Sequence, residues 1–279
     1  MATMVESREL WNPFSAASKA NLLRVVREEA DGLLELASDP SSWECGTAAG
    51  HWQVRDVVGH MVDVTEAYLE RFAGTRAGSE VPPLATLREM PRILDDHATA
   101  FRSSSQEEMV ARLRSDLARV MGVFEGLTES EWTGLNVTHG YMGPIPAFFY
   151  PTFHLVDYAI HGWDIREGLR IPHAMSADAA DFLVPIMPIL WQATFDPARL
   201  GDRPCDIGVR VSGRNAATLR FSCTASGVTF EPGTVDDLPA VLEFDPASLV
   251  LTAYGRMRGG TACGDRAIAA RFSGLFHAI

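Results

Sequence analysis

The chain is poor in lysine and cysteine, and it contains no long apolar run. Lys19 is its only lysine, and its 24 basic residues are outnumbered by 36 acidic ones, for a formal net charge of -12. Nucleic acids and anionic membrane surfaces both attract clustered lysine and arginine, so we expect neither as a partner. A membrane-spanning helix needs a run of about 18 apolar residues, and none is present.

The few cysteines argue against a zinc knuckle and against a disulfide framework. No two of them form a CxxC pair, and they are scattered along the chain at Cys45, Cys205, Cys223 and Cys263. Residues 1–9 lack the apolar segment that follows the basic start of a secretory signal. We therefore expect a reduced, cytoplasmic protein.

A phosphate-binding glycine loop is also missing. The glycine-rich stretch Gly255–Gly260 has neither the preceding strand nor the Lys-Ser/Thr pair of a P-loop. Nucleotide use is therefore not indicated.

What the sequence does contain is a long helical region. Apolar residues make up 47% of the chain, as in ordinary globular proteins, and a length of 279 residues favours two domains. Apolar positions recur with a helical period over residues 12–39, 54–73, 84–101, 106–127 and 148–166. Long helices with short links predict an up-down four-helix bundle. Residues 126–143, rich in Gly, Thr and Asn, are predicted to form a loop.

The pattern changes beyond Asp196. Short β-forming segments follow one another at residues 205–211, 217–223, 227–231 and 238–243, with Ser-Gly pairs at some of the joins. Residues 246–254 and 266–276 are predicted to be helices, and residues 183–191, interrupted by two prolines, a bridge. We therefore predict an α+β multidomain protein, with a helical bundle over residues 1–195 and an α+β domain over residues 196–279.

One segment of the predicted bundle carries residues typical of a metal site. Asp157 and His161 stand four positions apart in a predicted helix, so their side chains project from one face. His60, beside the apolar stripe of another predicted helix, offers a third donor. Two histidines and one carboxylate would hold a divalent metal with coordination positions left open for chemistry.

Each nearby polar residue also has an ordinary structural interpretation. Taken alone, His60 is more often a packed or capping histidine, and Asp56, one turn earlier, either orients its imidazole or faces water. Three roles stay open for His154: ligand in place of the neighbouring carboxylate, proton carrier, or lining of the bundle, which we favour. Asp164 supports a ligand or makes local hydrogen bonds. His139 is predicted to lie on a surface loop, with the pocket mouth as the alternative.

Two stretches resemble a known family. Trp52-Gln-Val-Arg-Asp-Val-Val-Gly-His60, followed by the Asp157-xxx-His161-Gly-Trp-Asp164 pattern, resembles the metal-binding N-terminal domain of mycothiol-dependent maleylpyruvate isomerases, within the DinB-like bundle superfamily. The stretch from Leu242 to Arg256 resembles the sterol-carrier-like second domain of these enzymes.

The resemblance implies a set of site residues. His60 and His161 take the two histidine positions on a divalent metal, usually zinc, and Asp157 falls where the isomerases have glutamate. Because aspartate is shorter by one methylene, the metal is held closer to this helix, less tightly, or exchanged for another. Arg256 matches an arginine that the family uses near the substrate, and with His154 it completes our candidate catalytic residues.

The function implied is that of a metal-dependent isomerase or S-transferase that uses mycothiol as co-substrate. Its partners are then a small electrophilic organic molecule and a low-molecular-weight thiol, and the protein is expected to be a monomer or homodimer. A thiol-independent lyase, cyclase or hydrolase on the same metal is the alternative enzyme. A carrier or regulator that keeps a metal only for stability is the third hypothesis.

Overall fold

The computed structural model describes residues 8–79 and 85–277, and these divide into two compact units. One unit comprises residues 13–179. The other comprises residues 180–277 together with residues 8–12. The predicted boundary follows residue 195, so the segment predicted as a bridge, residues 183–191, lies within the second unit.

Helices form most of the unit 13–179. They are α1 (Lys19–Ser38), α2 (Val54–Arg76), α3 (Met90–Ala100), α4 (Gln106–Gly126), the short α5 (Glu129–Gly134) and α6 (Phe149–Gly168). The boundary between the two units, after Ala179, falls within α7 (Ala177–Leu183). Helix α1 packs against α4 and α6, and α2 packs against the same two helices. The four long helices therefore form a bundle, and the predicted fold class is confirmed for this part of the chain.

The sequence explains where these helices begin. At the start of α2 the backbone N–H of Asp56 donates to the carbonyl oxygen of Gln53, and the Asp56 carboxylate accepts from the Gln53 backbone N–H in return. At the start of α4 the Ser105 hydroxyl accepts from the Glu108 N–H. Such reciprocal and single caps satisfy the backbone donors that a first turn leaves open.

Two local predictions for this unit were wrong. The stretch 126–143 is not a loop throughout: it contains α5 and strand β1 (Asn136–His139), which pairs antiparallel with β2 (Gly143–Pro146). A capping box at Thr128 starts α5, a signal that the abundance of Gly and Thr concealed. The helix predicted over residues 84–101 begins only at Met90, and its predicted first residue, Leu84, lies outside the described residues.

The second unit is built on a mixed five-stranded sheet. Its strands are β3 (Cys205–Val211), β4 (Ala217–Thr224), β5 (Gly227–Pro232), β6 (Ala240–Phe244) and β7 (Thr261–Gly264), in the order β5-β4-β3-β6-β7. Only the β3–β6 pair is parallel. The predicted strands are confirmed within a few residues, whereas β7 was not predicted.

Helices cover this sheet around an aromatic core. They are α8 (Met187–Thr194), α9 (Pro197–Leu200), α10 (Pro246–Ala253) and α11 (Arg266–Ser273). Trp191 on α8 packs against Phe221, Phe244 and Phe272. Sheet and helices together confirm the predicted α+β character of the C-terminal part. None of the described helices combines the length and apolar character needed to cross a bilayer.

Candidate metal centre

Helices α2 and α6 bring together three potential metal ligands. One donor atom from each of His60, Asp157 and His161 lies within 4.8 Å of the other two. His60 Nε2 lies 3.9 Å from Asp157 Oδ1. The two imidazoles are buried, with 3% and 8% of their surface exposed, while Asp157 is partly exposed. The predicted trio therefore forms one cluster, open to solvent on the aspartate side.

The position of α2 in this cluster depends on a glycine. A Cβ atom added to Gly59 would lie 2.6 Å from the carbonyl oxygen of Ala98 on α3. Any larger residue next to His60 would therefore push α3 away from α2. This close approach holds the N-terminal half of α2 in place, and with it the histidine.

A second carboxylate orients His161. Asp164, fully buried one turn further along α6, lies with its Oδ2 3.0 Å from His161 Nδ1. Nδ1 then carries the proton, and the lone pair of Nε2 is left for a metal. Burial lowers the pKa of His161, against the opposing effect of Asp164, so the ring is neutral at pH 7.

The cluster fits a small divalent ion by its chemistry. A tetrahedral zinc ion with ligands at about 2.0–2.1 Å holds its donor atoms roughly 3.4 Å apart. The 3.9 Å between His60 and Asp157 needs a closing movement of about half an ångström, and the 4.8 Å limit on the other pairs keeps their movement below about 1.4 Å. Two imidazoles and one carboxylate also form a donor set that zinc and similar divalent metals bind.

Trp52 is a site residue that stands out in the sequence only as the first residue of the Trp52–His60 motif. Its ring centroid lies 5.2 Å from that of His60 and 5.7 Å from that of His161. Its indole N–H donates to Asp95 Oδ1 on α3 at 2.7 Å. The indole therefore packs against both imidazoles and ties them to α3. No periodicity could reveal this, because Trp52 precedes the first turn of α2.

The end of α6 holds the segment that carries Trp52. The N–H of Ala48 donates to the carbonyl of Asp164 at 2.9 Å. A Cβ atom at Gly168 would overlap the carbonyl oxygen of Gly46, so only glycine permits this approach. The same turn of α6 thus orients one ligand through Asp164 and anchors the loop that leads to the tryptophan.

The indole contacts predict a spectroscopic signal of metal binding. We expect Cu²⁺ to quench the fluorescence of Trp52, because a paramagnetic ion at the histidines would lie within a few ångströms of the ring. The diamagnetic ion Zn²⁺ should compete with this quenching without causing it. A fluorescence titration of wild-type protein and of Trp52→Phe measures the effect. Trp43→Phe is the matched control, since Trp43 has no ring contact with either histidine among the described residues, and a response that survives Trp52→Phe would contradict the assignment.

His154 lies on the same helix but outside the cluster. It is fully buried, and its ring packs against Tyr68, Phe124 and Tyr158. Neither ring nitrogen has a hydrogen-bond partner among the described residues. Burial lowers its pKa to about 4, so the ring is neutral at pH 7. The structure places His154 in the lining of the bundle, and its role in proton transfer stays a prediction.

Asp56 takes neither of the two roles expected from its position. Its carboxylate is completely buried and accepts two hydrogen bonds from Arg102, from Nε to Oδ1 and from Nη2 to Oδ2, both at 2.8 Å. It also accepts from the backbone N–H of Gln53. Asp56 therefore joins the start of α2 to the chain that follows α3 instead of orienting His60 or facing water.

Two further predicted residues lie elsewhere. His139 is not on a surface loop: it ends strand β1 with only 7% of its surface exposed. Arg256 belongs to the second unit, just after α10, where its Nη1 donates to the carbonyl oxygen of Tyr254 at 3.0 Å. Its part in the site stays a prediction.

Comparison with known proteins gives a family and a fold. Residues 23–166 match the family model of the mycothiol maleylpyruvate isomerase N-terminal domain. The crystal structure of a mycothiol-dependent maleylpyruvate isomerase is similar, with a TM-score of 0.60, 14% identity, and coverage of 88% of this chain and 92% of that one. A mutant of that enzyme gives a TM-score of 0.59 at 14% identity and the same coverage.

The colibactin self-resistance protein ClbS, solved in complex with double-stranded DNA, is more distant. It gives a TM-score of 0.48 at 12% identity, over 56% of this chain and 97% of that one. Comparison with curated proteins finds no match.

Proposed function

Because the chain belongs to the mycothiol maleylpyruvate isomerase N-terminal domain family, we propose that it is a metal-dependent enzyme that uses a low-molecular-weight thiol. The proposed reaction is an isomerisation or an S-transfer on a small electrophilic organic substrate, with mycothiol as the thiol. The observation that supports this most strongly is the cluster of His60, Asp157 and His161, which has one partly exposed side.

In this proposal the three clustered side chains hold a divalent cation, with zinc as the expected ion. When bound, such an ion lowers the pKa of a coordinated thiol or water and so supplies an anionic nucleophile near neutral pH. Asp164 keeps Nε2 of His161 free to coordinate, and Trp52 limits rotation of both imidazoles. Three protein ligands leave at least one coordination position for a thiol.

A thiolate nucleophile accounts for both proposed reactions. A thiolate that adds to a conjugated carbon–carbon double bond forms a C–S bond and moves the electron pair onto the conjugated carbonyl oxygen. After rotation about the resulting single bond, return of the electron pair expels the thiolate and leaves the trans isomer. At a saturated carbon the same thiolate instead displaces a leaving group, which departs with the bonding pair, and a thioether results.

Developing negative charge on the substrate needs positively charged or hydrogen-bonding groups nearby. We propose that Arg256 of the second unit supplies one of them, as the family resemblance implies. His154, neutral and buried, is proposed to line the bundle beside the reacting groups.

The proposal is tested by removing and restoring the metal and the thiol separately. Wild-type protein is stripped with a chelator and reloaded with Zn²⁺, and turnover of maleylpyruvate and conjugation of monochlorobimane are followed with and without mycothiol. We expect turnover of at least one probe only when both components are present, because the thiolate is the nucleophile and the metal maintains it.

His60→Ala should abolish this activity, while His173→Ala, the same change at a histidine outside the cluster, should leave it intact. Turnover by His60→Ala in metal-free protein would refute every metal-dependent mechanism. Metal-dependent turnover of an electrophile without any thiol would instead support a lyase, cyclase or hydrolase. The shorter Asp157, in place of the family's glutamate, is the feature that favours this second candidate.

A further inference from the structure

A small hairpin places a histidine beside the helix that carries two of the clustered ligands. His139 is the last residue of β1 and pairs with Gly143 at the start of β2. Its ring packs against Tyr150 and Phe153 of α6, with centroids 5.9 Å and 5.6 Å away, and against Tyr68 of α2 at 6.3 Å. The hairpin therefore sets this imidazole between the two helices that bear the cluster.

The protonation state of His139 follows from its contacts. The backbone N–H of Tyr141 donates to Nδ1 at 3.3 Å, so we assign the proton of the neutral ring to Nε2. Burial and the nearby Arg71 guanidinium lower the pKa of His139 to about 4, although the Asp157 carboxylate opposes the shift. At pH 7 the ring is therefore neutral and offers one N–H donor, which has no hydrogen-bond partner among the described residues.

The exposure of α6 shows how a ligand would reach Asp157. From Phe149 to Gly162, every residue of the helix is buried except Phe149, Phe153 and Asp157, which follow one another at intervals of four. This spacing places them in one stripe along the helix. The His139 ring contacts Phe153, about 6 Å along the axis from Asp157. A molecule that reaches Asp157 along this stripe would pass Phe153, the residue against which the imidazole packs.

A guanidinium adds positive charge at the same place. Arg71 on α2 is almost fully buried, and its Nη1 donates to the carbonyl oxygen of Thr138, the residue before His139. This bond fixes β1 against α2. A neutral N–H donor close to a buried positive charge favours an oxygen atom that carries negative or partial negative charge.

We infer that His139 is a substrate-binding residue whose Nε2–H donates to a carboxylate or polarised carbonyl oxygen of the molecule held at the cluster. This rests on the proposed function, because it assumes that the substrate lies at His60, Asp157 and His161. The proposed substrates are therefore electrophiles that carry such an oxygen within about 5.4 Å of the reacting atoms, the length of one helical turn. As a neutral donor, the imidazole polarises this oxygen without giving up its proton.

The inference is tested with thiols that carry an oxygen at a known distance from sulfur. Co²⁺-loaded protein is titrated with 3-sulfanylpropanoate, 4-sulfanylbutanoate and 5-sulfanylpentanoate, and with the matching sulfanyl alcohols, and the thiolate-to-cobalt charge-transfer band gives each Kd. For at least one acid we expect His139→Phe to raise Kd about tenfold, the value of one hydrogen bond to a charged oxygen. The Kd values of the alcohols and the affinity for Co²⁺ should not change.

Two further variants make the result specific. His139→Gln keeps an N–H donor and should weaken binding less than His139→Phe does, whereas His173→Phe, the same change at a histidine that packs on Trp163, should have no effect.

The preference for acid over alcohol should stay constant between about pH 6 and 8, because a ring with a pKa near 4 does not titrate there. The ionisable groups around the ring are Tyr68 and Arg71 of α2, Tyr141 of the hairpin, and Tyr150 and Asp157 of α6.

A second measurement covers the case in which His139→Phe does not fold. In ¹⁵N NMR spectra of the wild-type protein, with the ring signals assigned by their loss in His139→Gln, we expect the Nε2–H tautomer and a shift of Nε2 when 4-sulfanylbutanoate is added. Protonation on Nδ1, or unchanged Kd values in a variant with a normal cobalt band, overturns this inference alone. Absence of the thiolate band in wild-type protein overturns the proposed function and this inference together.

Discussion

His161→Ala is expected to lower the affinity for Zn²⁺ by more than about 100-fold, so that the purified variant carries almost no metal. Loss even of a residue that only supports a ligand costs about 10–100-fold in metal affinity, and loss of a ligand itself costs more. The variant should also be less stable, because the buried carboxylate of Asp164 loses the imidazole that donates a hydrogen bond to it. Elemental analysis and competition with a chromophoric chelator measure the change.

Matched variants separate ligands from neighbours. His60→Ala and Asp157→Ala should lose metal as His161→Ala does, since each supplies one clustered donor atom. Asp157→Glu restores the family's ligand and should keep metal. His154→Ala removes a histidine of the same helix whose ring packs among aromatic side chains, so it should keep metal although its stability falls. Equal metal content in all five variants would refute the site.

Arg102→Ala is expected to destabilise the bundle by about 3 kcal/mol, because it leaves the carboxylate of Asp56 buried without its charged partner. The side chain of Asp56 is 0% exposed, whereas that of Arg102 is 41% exposed. We therefore expect a loss of stability at the lower end of the range that is typical when one partner of a buried ion pair is removed, because solvent screens the charge of the arginine. Urea denaturation, with the midpoint and slope compared between variants, measures the loss.

An exposed arginine on the preceding helix provides the control. Arg92 pairs with Asp96 on α3, and both side chains are more than half exposed. Arg92→Ala should therefore cost less than about 0.5 kcal/mol. Neither variant should lose metal at low urea, because neither side chain contacts a clustered donor among the described residues. A loss no larger for Arg102→Ala than for Arg92→Ala would contradict the structural role of the Asp56 pair.

The same ion pair predicts how stability responds to acid. Burial alone would raise the pKa of Asp56, but the hydrogen bonds from Arg102 and from the Gln53 N–H outweigh it, and the pKa is lowered. A carboxyl group whose pKa is lower in the folded state stabilises the fold above its unfolded pKa, near 3.9. This contribution disappears as the pH falls through the folded value. In Arg102→Ala the free energy of unfolding should therefore fall less steeply in strong acid than it does in the wild-type protein.

Local sequence patterns were sufficient to predict the four long helices of the bundle and to place Asp157 and His161 on one helix face. Apolar periodicity predicted α1, α2, α4 and α6 because each helix buries one stripe, and that stripe repeats every three to four residues. A separation of four in a helix fixes two side chains on one face whatever surrounds the helix. Alternating β-forming residues predicted most of the sheet for a similar reason.

The remaining site residues depend on contacts between distant parts of the chain. Asp56 and Arg102 are 46 residues apart in sequence, and Trp52 and Asp95 are 43 apart, so no local period links them. His139 lies in a segment whose glycines and threonines are typical of a loop, yet packing against α2 and α6 buries it and makes it neutral. Only the tertiary structure decided these environments, because burial and charge depend on which elements meet, whereas helical spacing depends on the backbone alone.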